Sequence, residues 1–324
     1  MQKFEQLLND FREFLNNENL NFEPKELYEP ISYTLALGGK RLRPVMALLS
    51  CDYFGGDYNE AMNTAMGIEI FHNFTLLHDD IMDDAPIRRG KDTVYKKWNS
   101  NIAILSGDTM FALAYKYITK TKAEYLQPIL EVFNQTAIEV CEGQQFDMNF
   151  ETDDNVCIED YMMMIRLKTA VFLGASLKIG AIIGGASQND VENIYHFGEY
   201  LGMAFQLQDD FLDVYGDEEK FGKKTGGDII TNKKTYLYLK AFELAGEEDL
   251  AILKKHFVPN HPDSNQKIQK IKDIYLKLGV DKYSEIEIKN YYQKAMSYLD
   301  KIEHSGNNKA ELKSLANRLI KRDY

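Results

Sequence analysis

No proline falls between Pro128 and Pro259, so nothing of that kind forces a helix to stop over this long stretch. Apolar residues recur at helical spacing. Phe4, Leu7, Leu8, Phe11, Phe14 and Leu15 mark one face near the start, and Met162, Ile165, Leu167 and Val171 another further on. The Val, Ile and Thr alternation of strands is absent. These patterns predict an all-α chain with helices over 3–17, 24–37, 42–54, 59–84, 101–119, 123–149, 158–186, 190–215, 233–245, 248–257, 266–279, 283–303 and 308–322. The clearest loops are LGGKR (37–41), RRGKDT (88–93), YGDEEKFGKKTGGD (215–228) and PNHPDSN (259–265). The last has flanks of the same composition. It reads as a turn between packed helices, and residues 1–324 as a single domain.

With 38 Lys and Arg against 50 Asp and Glu, the formal net charge is −12. Neither nucleic acid nor an anionic membrane surface suits such a chain as a partner. Cys51, Cys141 and Cys157 are odd in number, scattered and without metal spacing, which suits a reducing compartment. The start, MQKFEQLLNDFREFL, is an amphipathic helix without the basic end and apolar block of a signal peptide. The expectation is a cytoplasmic location. Residues 170–186, AVFLGASLKIGAIIGGA, are nearly all apolar but short for a membrane span, with Lys178 midway. They read as a buried helix whose glycines allow close packing.

Two acidic clusters stand out. Asp79, Asp80, Asp83 and Asp84 lie in HNFTLLHDDIMDDAPIRRG (72–90), and Asp209, Asp210 and Asp213 in FQLQDDFLDVYGD (205–217). Both carry the DDxxD spacing at the end of an apolar helix. On a helix Asp79 and Asp83 share a face, and like charges at that spacing cost roughly 0.2–0.5 kcal/mol per pair. Burial raises the cost, so something must neutralise them. Two such helices facing each other would line a cavity mouth with carboxylate oxygens. Mg²⁺ fits that arrangement, because it takes oxygen ligands and is held by one or two carboxylates plus substrate phosphates. Zinc would need more His or Cys than His78, and the calcium-loop pattern is missing. Basic residues gather beside the acidic ones: Lys40, Arg41 and Arg43; Arg88 and Arg89; Lys168; and Lys223, Lys224 and Lys233. In an acidic chain this grouping points to anion sites, with phosphate the natural ligand.

In order along the chain, GGKRLRP (38–44), DDIMDDAPIRRG (79–90), GQQFD (143–147), LKT (167–169), FQLQDDFLD (205–213) and GKKTGGD (222–228) resemble the motifs of the trans-isoprenyl diphosphate synthases, the polyprenyl synthetase family. The resemblance covers nearly the whole chain. It implies an all-α bundle of roughly ten to thirteen helices around a central cavity, a homodimer, and Mg²⁺, about three ions per site. It implies that an allylic diphosphate ionises and isopentenyl diphosphate attacks it head to tail. Asp79, Asp80 and Asp83 would bind Mg²⁺ on the allylic diphosphate from one side, and Asp209, Asp210 and Asp213 from the other. Arg88, Lys168, Lys224 and Lys233 would hold the same diphosphate, and Lys40, Arg41, His72 and Arg89 isopentenyl diphosphate. Thr169 and Gln206 would sit near the reacting carbon, and Gln144 and Asp147 on the cavity wall. His78 is left structural.

Phe74 and Thr75 precede Asp79 by five and four residues, so they lie ~6–7.5 Å deeper along the helix, with Phe71 a further turn down. Phe74 and Phe71 would form a floor under the growing chain. That pattern resembles short-chain geranylgeranyl-type enzymes, with farnesyl diphosphate as the alternative product. A class I terpene cyclase would have no use for a second diphosphate site at GGKRLRP. A silent partner subunit has typically lost one or both Asp clusters, and both are intact here.

Overall fold

The structure is a computed structural model and describes residues 2–217, 225–258, 264–304 and 309–321. Helices carry it, as the periodicity predicts: α1 (Gln2–Asn17), α2 (Lys25–Ala36), α3 (Leu42–Tyr53), α4 (Met62–Met82), α5 (Val94–Lys97), α6 (Ser100–Ile118), α7 (Ala123–Thr152), α8 (Ile158–Ile165), α9 (Val171–Ile183) and α10 (Gln188–Tyr215). Helices Gly227–Ile230, Tyr236–Leu244, Glu247–His256, Ser264–Leu278, Val280–Lys301 and Lys309–Lys321 follow. Several details differ from expectation, among them the additional short helices Val94–Lys97 and Gly227–Ile230. The helix expected over 59–84 begins as a 3-10 turn at Tyr58–Ala61, where Asp57 caps the Asn59 N–H. The helix expected over 158–186 is interrupted by a π-turn, Arg166–Ala170. Ile87–Arg88 and Lys91–Asp92 form an antiparallel ribbon too short to leave an alternating pattern in sequence.

The chain divides into two compact units. The first comprises Met1–Phe133, Ser176–Glu192 and Glu303–Leu312, the second Asn134–Ala175, Asn193–Ile302 and Lys313–Tyr324. At the centre of the first lies α4, packed against α1, α3 and α6. Its residues Ala65, Met66, Ile68, Ile70 and Phe71 are wholly buried. Burying side chains of that size stabilises by about 1.5–3 kcal/mol each. Within this unit, a Cβ at Gly180 would stand 2.0 Å from the Ala47 carbonyl oxygen, so the apolar segment from 176 onward packs as a core helix through its glycines. Lys178 in that segment is neutralised by Glu192 at 2.7 Å. Among the described residues no helix is long and apolar enough to cross a membrane.

The second unit has two apolar clusters. One gathers Tyr161, Met164, Ile165, Met203 and Leu207; the other Val214, Ile229, Leu237, Ile271 and Tyr275. The stripe Met203, Leu207, Asp210, Val214 on α10 is buried at 4%, 1%, 4% and 1% exposure. A carboxylate therefore takes a core position, at helical spacing with the apolar residues around it.

Candidate active site

In the first unit α4 ends in the first acidic cluster. Asn73, Leu77 and Asp80 continue its buried stripe, while Asp79 is half-buried and Asp83 exposed. The Arg88 Nε–H donates to Asp80 Oδ1 at 2.7 Å. Burial pushes the Asp80 carboxyl above the usual range, and Arg88 opposes this. The second cluster repeats the scheme on α10. Asp210 is buried, Asp213 half-buried and Asp209 exposed. Asp210 accepts from the Tyr161 hydroxyl, and from Gln206 Nε2 at 3.0 Å. In both clusters the second aspartate is thus the anchored one, and the first and fifth lie nearer solvent.

The second cluster has a fourth carboxylate that the DDxxD spacing could not show. Asp228 donates its backbone N–H to Asp213 Oδ2 at 2.9 Å. Burial pushes Asp210 up to about 6 and Asp228 up to about 7; Asp209 adds to the first and Asp210 to the second, while Lys233 opposes both. Lys233 acts on Asp147 as well as on Asp210 and Asp228. Lys223 and Lys224 lie outside the described residues. Among the described residues no three His, Cys, Asp or Glu side chains form a self-sufficient metal cage. The donor set nonetheless suits Mg²⁺, which needs one or two carboxylates and completes its shell with water and phosphate oxygens.

The π-turn carries Lys168 and Thr169 and is gripped from both sides within the second unit. A Cβ at Gly143 of α7 would fall 2.2 Å from the Lys168 nitrogen, and one at Gly202 of α10 would fall 2.6 Å from the Ala170 Cα. Gly143 opens the GQQFD element, and the contact explains its lack of a side chain. Lys168 Nζ meets Asp147 Oδ2 at 2.5 Å. Thr169 Oγ1–H donates to Gln206 Oε1 at 3.2 Å, so Thr169, Gln206, Asp210 and Tyr161 form one hydrogen-bonded chain. The Arg166 Nε–H meets the buried Glu199 at 2.9 Å and fixes the turn's first residue. Gln144 is buried, and its amide has no hydrogen-bond partner among the described residues.

The GGKRLRP turn belongs to the first unit. Arg41 begins α3 in the left-handed conformation, φ 49°. Its surroundings are not those expected of a phosphate ligand. At 6% exposure its guanidinium is buried, donating to Glu69 on α4 and to the Leu35 carbonyl. Arg43, grouped by sequence with the anion-binding residues but not with those expected to hold isopentenyl diphosphate, lies 3.3 Å from His72, Nη1 to Nε2. Desolvation lowers Arg43 to about 10. His72 is held well below the ordinary imidazole range by desolvation and then by Arg43, Arg89, Arg88 and Arg41. Arg43 has only donors, so His72 Nε2 is the acceptor and the ring proton resides on Nδ1. Arg89 donates to the Gly38 carbonyl, and a Cβ at Gly39 would sit 2.7 Å from its guanidinium. Lys40, in the same turn, is exposed. His78 packs against Gly107 and lies 3.2 Å from the Ile104 carbonyl, a structural setting.

Below Asp79 the side chains are aromatic. Phe74 stacks on Phe111 of α6 at 5.2 Å between centroids, more closely than its 5.6 Å tilted contact with Phe71. Phe71 in turn meets Phe133 edge-on at 5.1 Å, and Tyr115 joins Phe111 to Phe133. Phe111, Tyr115 and Phe133 were not identifiable from α4 alone, since they come from neighbouring helices. Thr75 is half-buried, its hydroxyl donating to the His72 carbonyl at 2.8 Å.

Acid-rich helix ends, a guanidinium cluster and an aromatic cluster carried on helices suit the handling of diphosphates, and comparison narrows the class. The sequence profile of the polyprenyl synthetase family matches residues 24–275. A short chain isoprenyl diphosphate synthase of Methanothermobacter thermautotrophicus is 35% identical over 303 residues, covering 93% of this chain and 92% of its own. A geranylgeranyl pyrophosphate synthase of Geoglobus acetivorans is 37% identical over 304 residues, with 93% and 92% covered. A crystal structure of a geranylgeranyl pyrophosphate synthase superposes with a TM-score of 0.94 at 43% identity over 99% of both chains. The chain belongs to the polyprenyl synthetase family.

Proposed function

We propose that this chain is a short-chain trans-prenyltransferase that adds isopentenyl diphosphate head to tail to an allylic diphosphate and makes geranylgeranyl diphosphate. One observation carries the reading. In the first unit, a carboxylate cluster suited to a metal-bound diphosphate lies beside a guanidinium cluster suited to a second, metal-independent one, and Arg88 touches the first while acting on His72 in the second. A protein handling a single diphosphate has no use for both. Farnesyl diphosphate is the alternative product.

Asp79, Asp80, Asp83, Asp209, Asp210 and Asp213 serve the Mg²⁺ ions on the allylic diphosphate. Mg²⁺ supplies Lewis-acid stabilisation of charge gathering on the leaving group. Arg88, Lys168, Lys224 and Lys233 hold the same group. As the C1–O bond breaks, the electron pair leaves with diphosphate, and fixed cations at that position lower the barrier. Asp147 holds the Lys168 ammonium in place. The hydroxyl proton of Thr169 is committed to Gln206, which leaves the oxygen lone pairs to face the allylic cation. Lys40, Arg43, His72 and Arg89 hold isopentenyl diphosphate, whose double bond attacks C1. The new tertiary cation then loses a proton to the released diphosphate. Holding the two substrates together converts a bimolecular encounter into an oriented step. Phe74, stacked on Phe111 and backed by Phe71, with Thr75 beside it, limits product length.

The family profile over residues 24–275 supports one catalytic domain. A cytoplasmic homodimer is part of the proposal, and the exposed Ile104 and Leu105 on α6 support a partnering face. Incubation with labelled isopentenyl diphosphate, an allylic starter and Mg²⁺ tests the reading. A linear C20 diphosphate is expected; cyclic hydrocarbons, or no turnover, would overturn it.

A further inference from the structure

The guanidinium cluster of the first unit is built as a ladder between α3 and α4. Glu69 and His72 are three apart on α4 and so share a face. Opposite them stand Arg41 and Arg43, at the start of α3. Arg41 pairs with Glu69, and Arg43 meets His72 at 3.3 Å. The rungs differ in burial. Arg41 and Glu69 are 6% and 1% exposed, whereas Arg43 and His72 are only partly buried.

The deeper rung is heavily constrained. Glu69 Oε1 accepts from Arg41 and, at 2.7 Å, from Asn73 Nδ2, which also donates to the Glu69 carbonyl at 2.8 Å. The second terminal nitrogen of Arg41 donates to the Leu35 carbonyl. Arg41 therefore ties both ends of the turn that holds Gly38, Gly39 and Lys40, since it closes one end and bonds Leu35 at the other. A guanidinium buried at 6% exposure and turned onto a carboxylate and a carbonyl is poorly placed to bind phosphate. It is well placed to set the register of α3 on α4.

We infer that the Arg41–Glu69 pair is the positioning element of the isopentenyl diphosphate pocket, fixing the turn and the helix register from which Lys40, Arg43 and His72 meet the substrate. This rests on the reading that those residues hold isopentenyl diphosphate. Arg41 itself makes no phosphate contact.

Steady-state kinetics with each substrate varied in turn tests the inference, with urea midpoints recorded for every variant. Arg43→Ala tests the underlying reading and should raise KM for isopentenyl diphosphate. Glu69→Gln should raise that KM on the order of 10–100-fold, the scale of losing an outer-shell partner, while KM for the allylic diphosphate stays put. Because breaking a buried pair also threatens folding, the double variant Arg41→Met/Glu69→Leu is the decisive one. Apolar replacement of a buried ion pair is commonly neutral or stabilising, so the urea midpoint should return to wild type while KM for isopentenyl diphosphate stays raised. Wild-type KM in that double variant, with Arg43→Ala still impaired, would overturn the inference and leave the pocket intact. Wild-type KM in Arg43→Ala would overturn the pocket assignment and the inference with it.

Discussion

Gly143→Ala probes the link between packing and chemistry with a single methyl group. The added Cβ would stand 2.2 Å from the Lys168 nitrogen, 2.6 Å from its Cα and 2.8 Å from the Leu167 carbonyl carbon, where ordinary contact begins at 3.4 Å. All three neighbours are backbone, so no rotamer can absorb the shortfall of about 1.2 Å (3.4 minus 2.2). The π-turn cannot retreat freely, because Gly202 already brings Ala170 against α10. The displacement therefore falls on Lys168, 2.5 Å from Asp147, and on Thr169. A misplacement of about 1 Å can cost on the order of 100-fold in rate. Stability should change less, because overpacking costs about 1–3 kcal/mol and alanine returns about 0.5–1 kcal/mol in a helix interior. The assay is kcat and KM beside a urea melt, with Gln145→Ala, an exposed change two residues on, as control. A kcat loss near 100-fold with a folded protein is expected. Wild-type kcat in Gly143→Ala would refute the claim that the π-turn's placement sets the rate.

Three further outcomes are expected. Phe74→Ala should lengthen the products, and Phe111→Ala should do so too because Phe74 stacks on it; chain-length analysis showing unchanged products would remove both from that role. Gln144→Leu removes a buried amide that has no hydrogen-bond partner among the described residues, so the urea midpoint should hold or rise, while kcat should fall if Gln144 lies on the cavity wall, as the family resemblance implies; unchanged kcat would leave Gln144 without a part in the reaction. In metal-free protein, Asp210 and Asp228 bind protons in the fold that the unfolded chain releases near the ordinary carboxylate value of 3.8. Their contribution is complete at low pH and lost as pH rises through about 6 and about 7. The urea midpoint in EDTA should therefore fall between pH 5 and pH 8, and Asp228→Asn should flatten that fall.

The helices were legible because their periodicity is strong, and both acidic clusters because DDxxD sits at the end of apolar stripes. Composition does not mark the π-turn: RLKTA contains no proline or glycine, and the glycines that grip the turn lie in α7 and α10. Arg41 and Arg43 could not be told apart by type. They differ by a left-handed residue at the start of α3, which decides which guanidinium turns inward to Glu69. Asp228 and Tyr161 join the second cluster from outside its motif, and Phe111 and Phe133 join the aromatic wall from other helices. Spacing within one helix reveals the groups on a face, whereas the partners of that face come from packing.

In the proposed function both acidic clusters serve Mg²⁺ on the allylic diphosphate. Calorimetric titration of an unreactive allylic thiodiphosphate, with and without Mg²⁺, tests it on wild type, Asp79→Asn and Asp209→Asn. Metal-dependent binding in the wild type, weakened by on the order of 100-fold in each variant, is predicted from the loss of a charged ligand oxygen. Undiminished Mg²⁺-dependent binding in either variant would contradict it.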